Sequence, residues 1–179
     1  CETGGPLIGT NTDAGGFLAP LQAAKWRGHR ALVIGTGGAA RAVVYALEQI
    51  GVSFLTIMAR DFAKGAALIH GRNAIGDVIG MADTLPAVDL VVNCTSLGMT
   101  GQPPLEIDLS PLPETCTVYD IVYAPVETPL LAQARARGLA SIDGLEMLIG
   151  QAALAFDIFF DAPAPRHADA ELRALLAQD

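Results

Sequence analysis

Charge, aromatic rings and the usual ligand-forming side chains are all in short supply. Only 17% of the 179 residues are charged and 6% are aromatic, against 51% hydrophobic. That balance excludes a disordered polyelectrolyte and favours a compact chain with buried strands. Positive charge is the scarcer sign: 11 Lys and Arg against 19 Asp and Glu leave a net charge of -8. Nucleic acid is thereby excluded as a partner, since a phosphate backbone needs a basic face. A small anionic ligand is not excluded, because helix N-termini and one or two arginines hold such a ligand locally.

Cys1, Cys94 and Cys116 are widely spaced and odd in number. Neither a disulfide framework nor a zinc spacing is present, and the expected setting is reducing and cytoplasmic. His29, His70 and His167 fit neither a metal-ligand spacing nor a triad and read as exposed or loop residues. No apolar run reaches the length of a membrane span. The opening Cys-Glu-Thr-Gly-Gly-Pro has no initiator Met and no signal-peptide layout, and reads as the interior of something longer. The length suits one domain, or one domain and part of another.

What the chain does have is alternation. Apolar runs of strand length stand at 31–34, 54–58, 90–94, 117–122 and 140–142, with a further candidate at 74–79. Segments of helical spacing lie between them at 39–50, 62–70 and 129–137. The strands are apolar throughout, as in a parallel sheet covered on both faces. This order implies right-handed βαβ units and an α/β fold with a doubly wound, mostly parallel sheet. Helices are also predicted over 13–26, with Pro20 as a kink or a late start, and over 145–160 and 169–177, parted by Pro163 and Pro165.

The segment Ala31-Leu-Val-Ile-Gly-Thr-Gly-Gly-Ala-Ala-Arg-Ala-Val-Val-Tyr45 is an apolar run, a glycine turn and a small-residue helix. Gly35 makes the tight turn, Gly37 and Gly38 let backbone amides approach an anion, and the helix aims its positive end at it. Ala40 takes the third glycine position of the dinucleotide fingerprint, where close helix–strand packing is the only demand. Cofactor choice is read at the end of the second strand, Thr56-Ile-Met-Ala-Arg-Asp61. An acidic residue there bonds the ribose of NAD, and a nearby Arg meets the 2′-phosphate of NADP. Arg60 and Lys64 favour NADP, whereas Asp61 either faces the site or caps the next helix.

Four further segments carry polar residues at strand or helix ends. In Gly9-Thr-Asn-Thr-Asp13, Thr12 or Asp13 is an N-cap, or Asp13 orients a substrate hydroxyl and assists proton movement; both hold if Thr12 does the capping. Val91-Val-Asn-Cys-Thr-Ser-Leu-Gly-Met99 runs from a strand into a loop where the sheet order reverses. Tyr119-Asp-Ile-Val-Tyr-Ala-Pro-Val-Glu-Thr-Pro-Leu-Leu131 contains the N-cap pair Thr128-Pro129 and a loop tyrosine, Tyr123, that capping does not explain. In the helix after Asp143, Leu145, Leu148, Ala152 and Phe156 form the expected core stripe, with Gln151 beside it as filler or as a ligand for hydroxyls.

Taken together these segments resemble the shikimate dehydrogenase family. Its NTD motif is similar to Asn11-Thr12-Asp13, its glycine turn to residues 35–39, and its N-A-T-S-x-G-M loop to residues 93–99 with Cys94 in place of Ala. Its Tyr-Asp-x-x-Tyr…Thr-Pro-Leu segment resembles residues 119–131, and its D-G-x-x-M-L-x-x-Q helix residues 143–151. The resemblance implies a Rossmann-like NADP-binding domain at 14–143, a preceding end of a substrate domain at 1–13, and helices at 144–179 that return towards that domain. It implies substrate contacts from Asp13, Tyr123 and Gln151, with Asp13 catalytic. It implies cofactor contacts from Gly35, Thr36, Gly37, Gly38, Ala39, Ala59, Arg60, Asp61, Lys64, Thr95, Ile121, Gly144 and Met147.

The reaction so implied is reversible reduction of 3-dehydroshikimate to shikimate by NADPH, in aromatic amino acid biosynthesis, by a monomer or homodimer. Where the family's cofactor loop reads Asn-Arg-Thr, this chain has Ala59-Arg60-Asp61, so NAD and a quinate/shikimate dehydrogenase stay open as alternatives. The family's amino-terminal domain supplies a Ser-x-Ser loop, a substrate-binding Asn and a catalytic Lys; none of these motifs is in this chain. Lys25, its first lysine, follows Asp13 and is placed on a helix. The chain is therefore expected to be a catalytically incomplete carboxy-terminal part, the other reading being a non-catalytic nucleotide-binding module.

Overall fold

The computed structural model describes residues 9–177; Cys1 and most of the expected 1–13 segment lie outside them. Among these residues are six strands, β1 Arg30–Ile34, β2 Phe54–Met58, β3 Ile75–Ile79, β4 Leu90–Asn93, β5 Thr117–Asp120 and β6 Ala140–Ile142, and six α-helices; β3, β4 and β5 are joined by irregular connections without an α-helix. The helices are α1 Asp13–Ala23, α2 Gly38–Gln49, α3 Phe62–Ile69, α4 Pro129–Ala136, α5 Gly144–Phe160 and α6 Asp169–Leu176. All strands pair in parallel, in the order β3-β2-β1-β4-β5-β6. This is the expected doubly wound sheet, and the candidate strand at 74–79 is real, as the β3 edge.

The strands are apolar throughout because each face of the sheet has its own core. In β1, Ala31 and Val33 join one core with Leu55, Ile57 and Val92, while Leu32 and Ile34 join the other with Met58, Val91 and Val118. The period of two along a strand thus divides residues between two buried layers instead of between core and water. The first layer carries Phe17 and Leu21 of α1, Val43, Val44 and Leu47 of α2, and Met147 of α5. The second is closed by Leu130, Leu131 and Ala134 of α4 and by Leu85, Leu105, Leu109 and Leu112 of the irregular connections.

Several boundaries differ from expectation for physical reasons. The strands β4 and β5 stop at Asn93 and Asp120, because those side chains bind loop backbone and turn the chain out of the sheet. The helix α1 begins at Asp13 and passes through Pro20 to Ala23, so Pro20 marks no late start, and Lys25 sits beyond the helix in a left-handed conformation with φ 51°. A short 3₁₀ turn, Arg166–Ala168, precedes α6. In α5 the expected stripe is wrong beyond Leu145. The buried residues are Gly144, Leu145, Met147, Ile149 and Gly150, whereas Ala152 is exposed.

The reason lies in glycine. The helices α1 and α5 cross where a Cβ on Gly16 would lie 2.6 Å from Gln151 N and 2.7 Å from the Met147 carbonyl oxygen. From the other side, a Cβ on Gly150 would lie 3.2 Å from Gly16 Cα. Backbone meets backbone at this crossing, so the buried face of α5 combines Gly144 and Gly150 with Leu145, Met147 and Ile149. Gly16→Ala is expected to lower unfolding free energy by about 1–3 kcal/mol, measured by urea denaturation; an unchanged midpoint would show that the helices separate at no cost.

Candidate functional site

Because β1 lies between β2 and β4, the connections leaving β1 and β4 diverge and open a crevice at the carboxyl ends of the strands. Gly35 enters it with φ 106°, its amide donating to the Met58 carbonyl at 2.9 Å. A Cβ there would stand 3.0 Å from Thr95 Cγ2 and 3.2 Å from the Cys94 carbonyl oxygen, so both conformation and space require glycine. Gly37 is the N-cap of α2 without a side-chain cap, and the first turn holds no acidic residue. A Cβ on Gly37 or Gly38 would meet nothing within 4 Å. The orphan amides of α2 therefore face open space at the positive end of the helix. Ala40 is fully buried against the sheet, as its place in the turn requires.

A cleft of about 580 Å³ brings together Gly35, Thr36, Gly37, Ala59, Arg60, Asp61, Lys64 and Thr95. Met81, Gln102 and Pro103 also line it; they sit in irregular segments where no periodicity marks them. Ala59 is buried, its amide bonded to the Ile79 carbonyl, so it contributes shape alone. Asp61 both lines the cleft and caps the next helix. Its carboxylate caps α3, accepting from the Lys64 amide at 3.1 Å, and its other oxygen lies 3.7 Å from Lys64 Nζ. Arg60 is exposed beside this pair and, among the described residues, has no ion-pair partner.

The carboxyl ends of β4 and β5 are tied by a buried polar network. Asn93 Nδ2 donates to Asp120 Oδ1 at 2.9 Å and to the Leu97 carbonyl at 3.1 Å. Asn93 Oδ1 accepts from Thr95 N at 3.0 Å and from Thr95 Oγ1 at 2.8 Å. Asp120 also accepts from Val122 N at 3.1 Å and from Thr128 Oγ1 at 2.7 Å, while Thr128 Oγ1 caps α4 at Leu131 N. Burial pushes the Asp120 carboxyl above the usual carboxylate range, opposed by the hydrogen bonds from Thr128, Val122 and Asn93. The Thr95 hydroxyl is fully engaged, donating to Asn93 and accepting from Leu97 N. Thr95 lines the cleft, with its Cγ2 methyl on the side of Gly35.

The remaining expected residues lie apart from this cleft. Gly38 lines an adjoining recess of about 620 Å³ with Asn11 and Arg41, and Ala39 lines neither recess. Asn11, not Thr12, caps α1, accepting from Ala14 N at 3.3 Å. Thr12 Oγ1 instead donates to Gln151 Oε1 at 3.2 Å, which joins the NTD segment to α5. Asp13 is half-buried at the first position of α1. Tyr123 is 48% exposed in the loop after β5, whereas Tyr119 is fully buried and stacks on Phe17 at 4.8 Å. Ile121 is half-buried and Met147 is buried in the core. Gly144 packs so closely on the 121–122 backbone that a Cβ would run into the Ile121 carbonyl. Asp143 caps α5 and pairs with both guanidinium nitrogens of Arg173, at 3.1 and 2.5 Å, which anchors α6 at this end of the sheet.

Cys94 lines the cleft floor but is itself buried. Burial, and secondarily the Asp120 charge, raises its thiol far above the ordinary cysteine range, and burial pushes Cys116 up to about 12. Both shifts keep the neutral thiol at pH 8, so neither is a nucleophile. In a Cys1→Ser chain, a thiol-reactive disulfide reagent at pH 8 is expected to label Cys94 and Cys116 only as fast as the chain unfolds; fast stoichiometric labelling under native conditions contradicts this burial.

The family profile described as Shikimate 5'-dehydrogenase C-terminal domain matches residues 144–171. Over 172 residues the chain is 54% identical to a shikimate dehydrogenase (NADP(+)) from Sphingopyxis alaskensis, covering 96% of this chain and 63% of that protein. Among solved structures it is similar to the ligand-free form of a 5-ketofructose reductase of Gluconobacter sp. strain CHM43. That likeness has a TM-score of 0.83 and 31% identity over 98% of this chain and 64% of the other. It is similar also to a shikimate 5-dehydrogenase from Thermus thermophilus in complex with NADP(H) and shikimate, with a TM-score of 0.79 and 32% identity. Here 94% of this chain and 63% of the other are covered. The chain thus spans less than two thirds of the length of each of these relatives.

Proposed function

We propose that the chain belongs to the shikimate dehydrogenase family and forms the NADP-binding part of an enzyme that interconverts 3-dehydroshikimate and shikimate. The carrying observation is the cleft itself. It combines amides of α2 that no side chain caps, an open side at Gly37 and Gly38, and two cations at the exit of β2. These residues fit a dinucleotide: Gly35, Thr36, Gly37, Gly38 and Ala39 would hold the diphosphate, and Arg60 with Lys64 the 2′-phosphate. Arg60 and Lys64 favour NADP, while the Asp61 carboxylate caps α3 and lies 3.7 Å from Lys64 Nζ and still lines the cleft. Bound there, NADPH supplies a hydride from its nicotinamide C4 to the substrate carbonyl carbon.

The other side of the site is built from α1, α5 and the β5 loop. Gln151 is held by Thr12, which leaves its Nε2 as a donor to a substrate oxygen. Asp13 and Tyr123 would contact the substrate, Asp13 orienting a hydroxyl and assisting its proton movement. Ile121, Gly144 and Met147 would form the wall near the nicotinamide, and Thr95 would present its methyl group. Residues 14–143 form the cofactor-binding domain in this reading, and the helices of 144–179 return towards a substrate domain. Lys25 lies past the far end of α1 from Asp13 and does not act as the proton-transfer lysine.

Calorimetric titration should show NADP binding that weakens by roughly tenfold or more in Arg60→Ala, as expected for a charge-assisted bond to phosphate, with NAD binding unchanged. Equal loss for both nucleotides would refute the assignment of Arg60 to the 2′-phosphate. A spectrophotometric assay of shikimate-dependent NADP reduction is expected to show negligible turnover by the 179-residue chain and turnover once the family's upstream region is restored. Comparable rates from both would show that the chain needs no outside lysine.

A further inference from the structure

The loop that lines the nucleotide cleft and the loop that carries Tyr123 meet at one side chain, Asp120. Its Oδ1 accepts from Asn93 Nδ2 and Val122 N, and its Oδ2 from Thr128 Oγ1. The first bond decides how the Asn93 amide sits. With Nδ2 facing two acceptors, Asp120 Oδ1 and the Leu97 carbonyl, Oδ1 is turned to Thr95 and receives both its N–H and its O–H. If the acceptor at Asp120 were lost, only the Leu97 carbonyl would hold Nδ2 on that side, and a flip of the amide would set Nδ2 against the Thr95 amide, donor against donor. Thr95 in turn lies against the Gly35 turn. Two further contacts run in parallel: Thr100 N donates to the Ala124 carbonyl at 2.9 Å, and a Cβ on Gly98 would lie 3.6 Å from Thr128 Cβ.

We propose that Asp120 is a positioning residue that holds the Thr95 loop and the Tyr123 loop in one register, with Thr128 as its anchor. Neither Asp120 nor Thr128 lines the cleft, and both are buried. Thr128 nevertheless controls the cleft wall, through the relay Thr128–Asp120–Asn93–Thr95. The coupling rests on this geometry alone; its effect on nucleotide affinity rests also on the reading of the cleft as an NADP site. An amide at position 120 preserves the relay, since its oxygen accepts from Asn93 Nδ2 and Val122 N while its NH₂ donates to Thr128 Oγ1. A methyl group there does not.

The test compares Thr128→Val with Thr128→Ser, and Asp120→Ala with Asp120→Asn, well below each unfolding transition. Residue-resolved hydrogen exchange is read at Thr95 and Leu97, with Val33 of β1 as the internal reference, and NADP affinity is read by calorimetry. Thr128→Val and Asp120→Ala are expected to speed exchange at Thr95 and Leu97 and to raise the NADP Kd, each roughly tenfold, with Val33 unchanged. Thr128→Ser and Asp120→Asn are expected to stay near the parent chain in both. Parent-like exchange at Thr95 and Leu97 in Thr128→Val overturns the coupling. Faster exchange with an unchanged Kd overturns the positioning role. A parent chain that binds no NADP refutes the nucleotide reading and with it the effect on affinity, while the exchange data still decide the coupling. Should Asp120→Ala not fold, the Thr128 pair decides by itself.

Discussion

The site end of this sheet depends on a carboxylate and an amide buried side by side. Asn93 and Asp120 are register partners on neighbouring parallel strands, and neither is exposed to solvent. Polar groups so placed are costly unless every donor and acceptor is matched. Here the matching is done by loop backbone: Thr95 N, Val122 N and the Leu97 carbonyl all bond to these two side chains. The demand for satisfaction therefore ends both strands and folds both following loops back over the sheet. The loops are part of the core's polar accounting, which is why they have definite shapes.

A second constraint is set by absence of side chain. Gly16 of α1 lies close against the Met147–Gln151 backbone of α5, and at this crossing Thr12 bonds to Gln151. One segment near the start of the chain and one near its end are thereby joined across 139 positions of sequence. At the far end of α5, Ile158, Phe159 and Phe160 stand exposed.

The fold was legible because its strands are apolar on both faces and its helices are punctuated by strong signals. Gly35 and Thr128-Pro129 each mark a boundary that local chemistry alone explains. The glycine turn and the cations at 60 and 64 were legible for the same reason, since turn geometry and charge act locally. What could not be read were relations between distant residues. Asn93 had the look of a turn residue, and nothing nearby in sequence points to Asp120 or Thr128 as its partners. Asn11 supplies the capping bond expected of Thr12 or Asp13, while the Thr12 hydroxyl donates to Gln151. The stripe on α5 failed because an amphipathic pattern weighs leucines heavily and ignores a partner helix that presents glycine.

The glycines of the turn divide into two kinds, and the division bears on what the cleft is for. Gly35 is required by the chain itself: its φ is left-handed, and Thr95 and Cys94 leave a side chain no room. Gly37 and Gly38 have no such requirement, for a methyl group at either would touch nothing in the chain. Glycine also weakens a helix start relative to a capping serine or aspartate, so both positions carry a stability cost that the fold does not explain. An acidic cap would be the better local choice for α2, and none is present in its first turn. The same chain carries a net charge of -8, yet the one acid among the cleft-lining residues, Asp61, is bound to α3 and Lys64. A helix end left bare, uncharged and open in an acidic chain is accounted for by a ligand that is itself an anion and must approach the backbone closely.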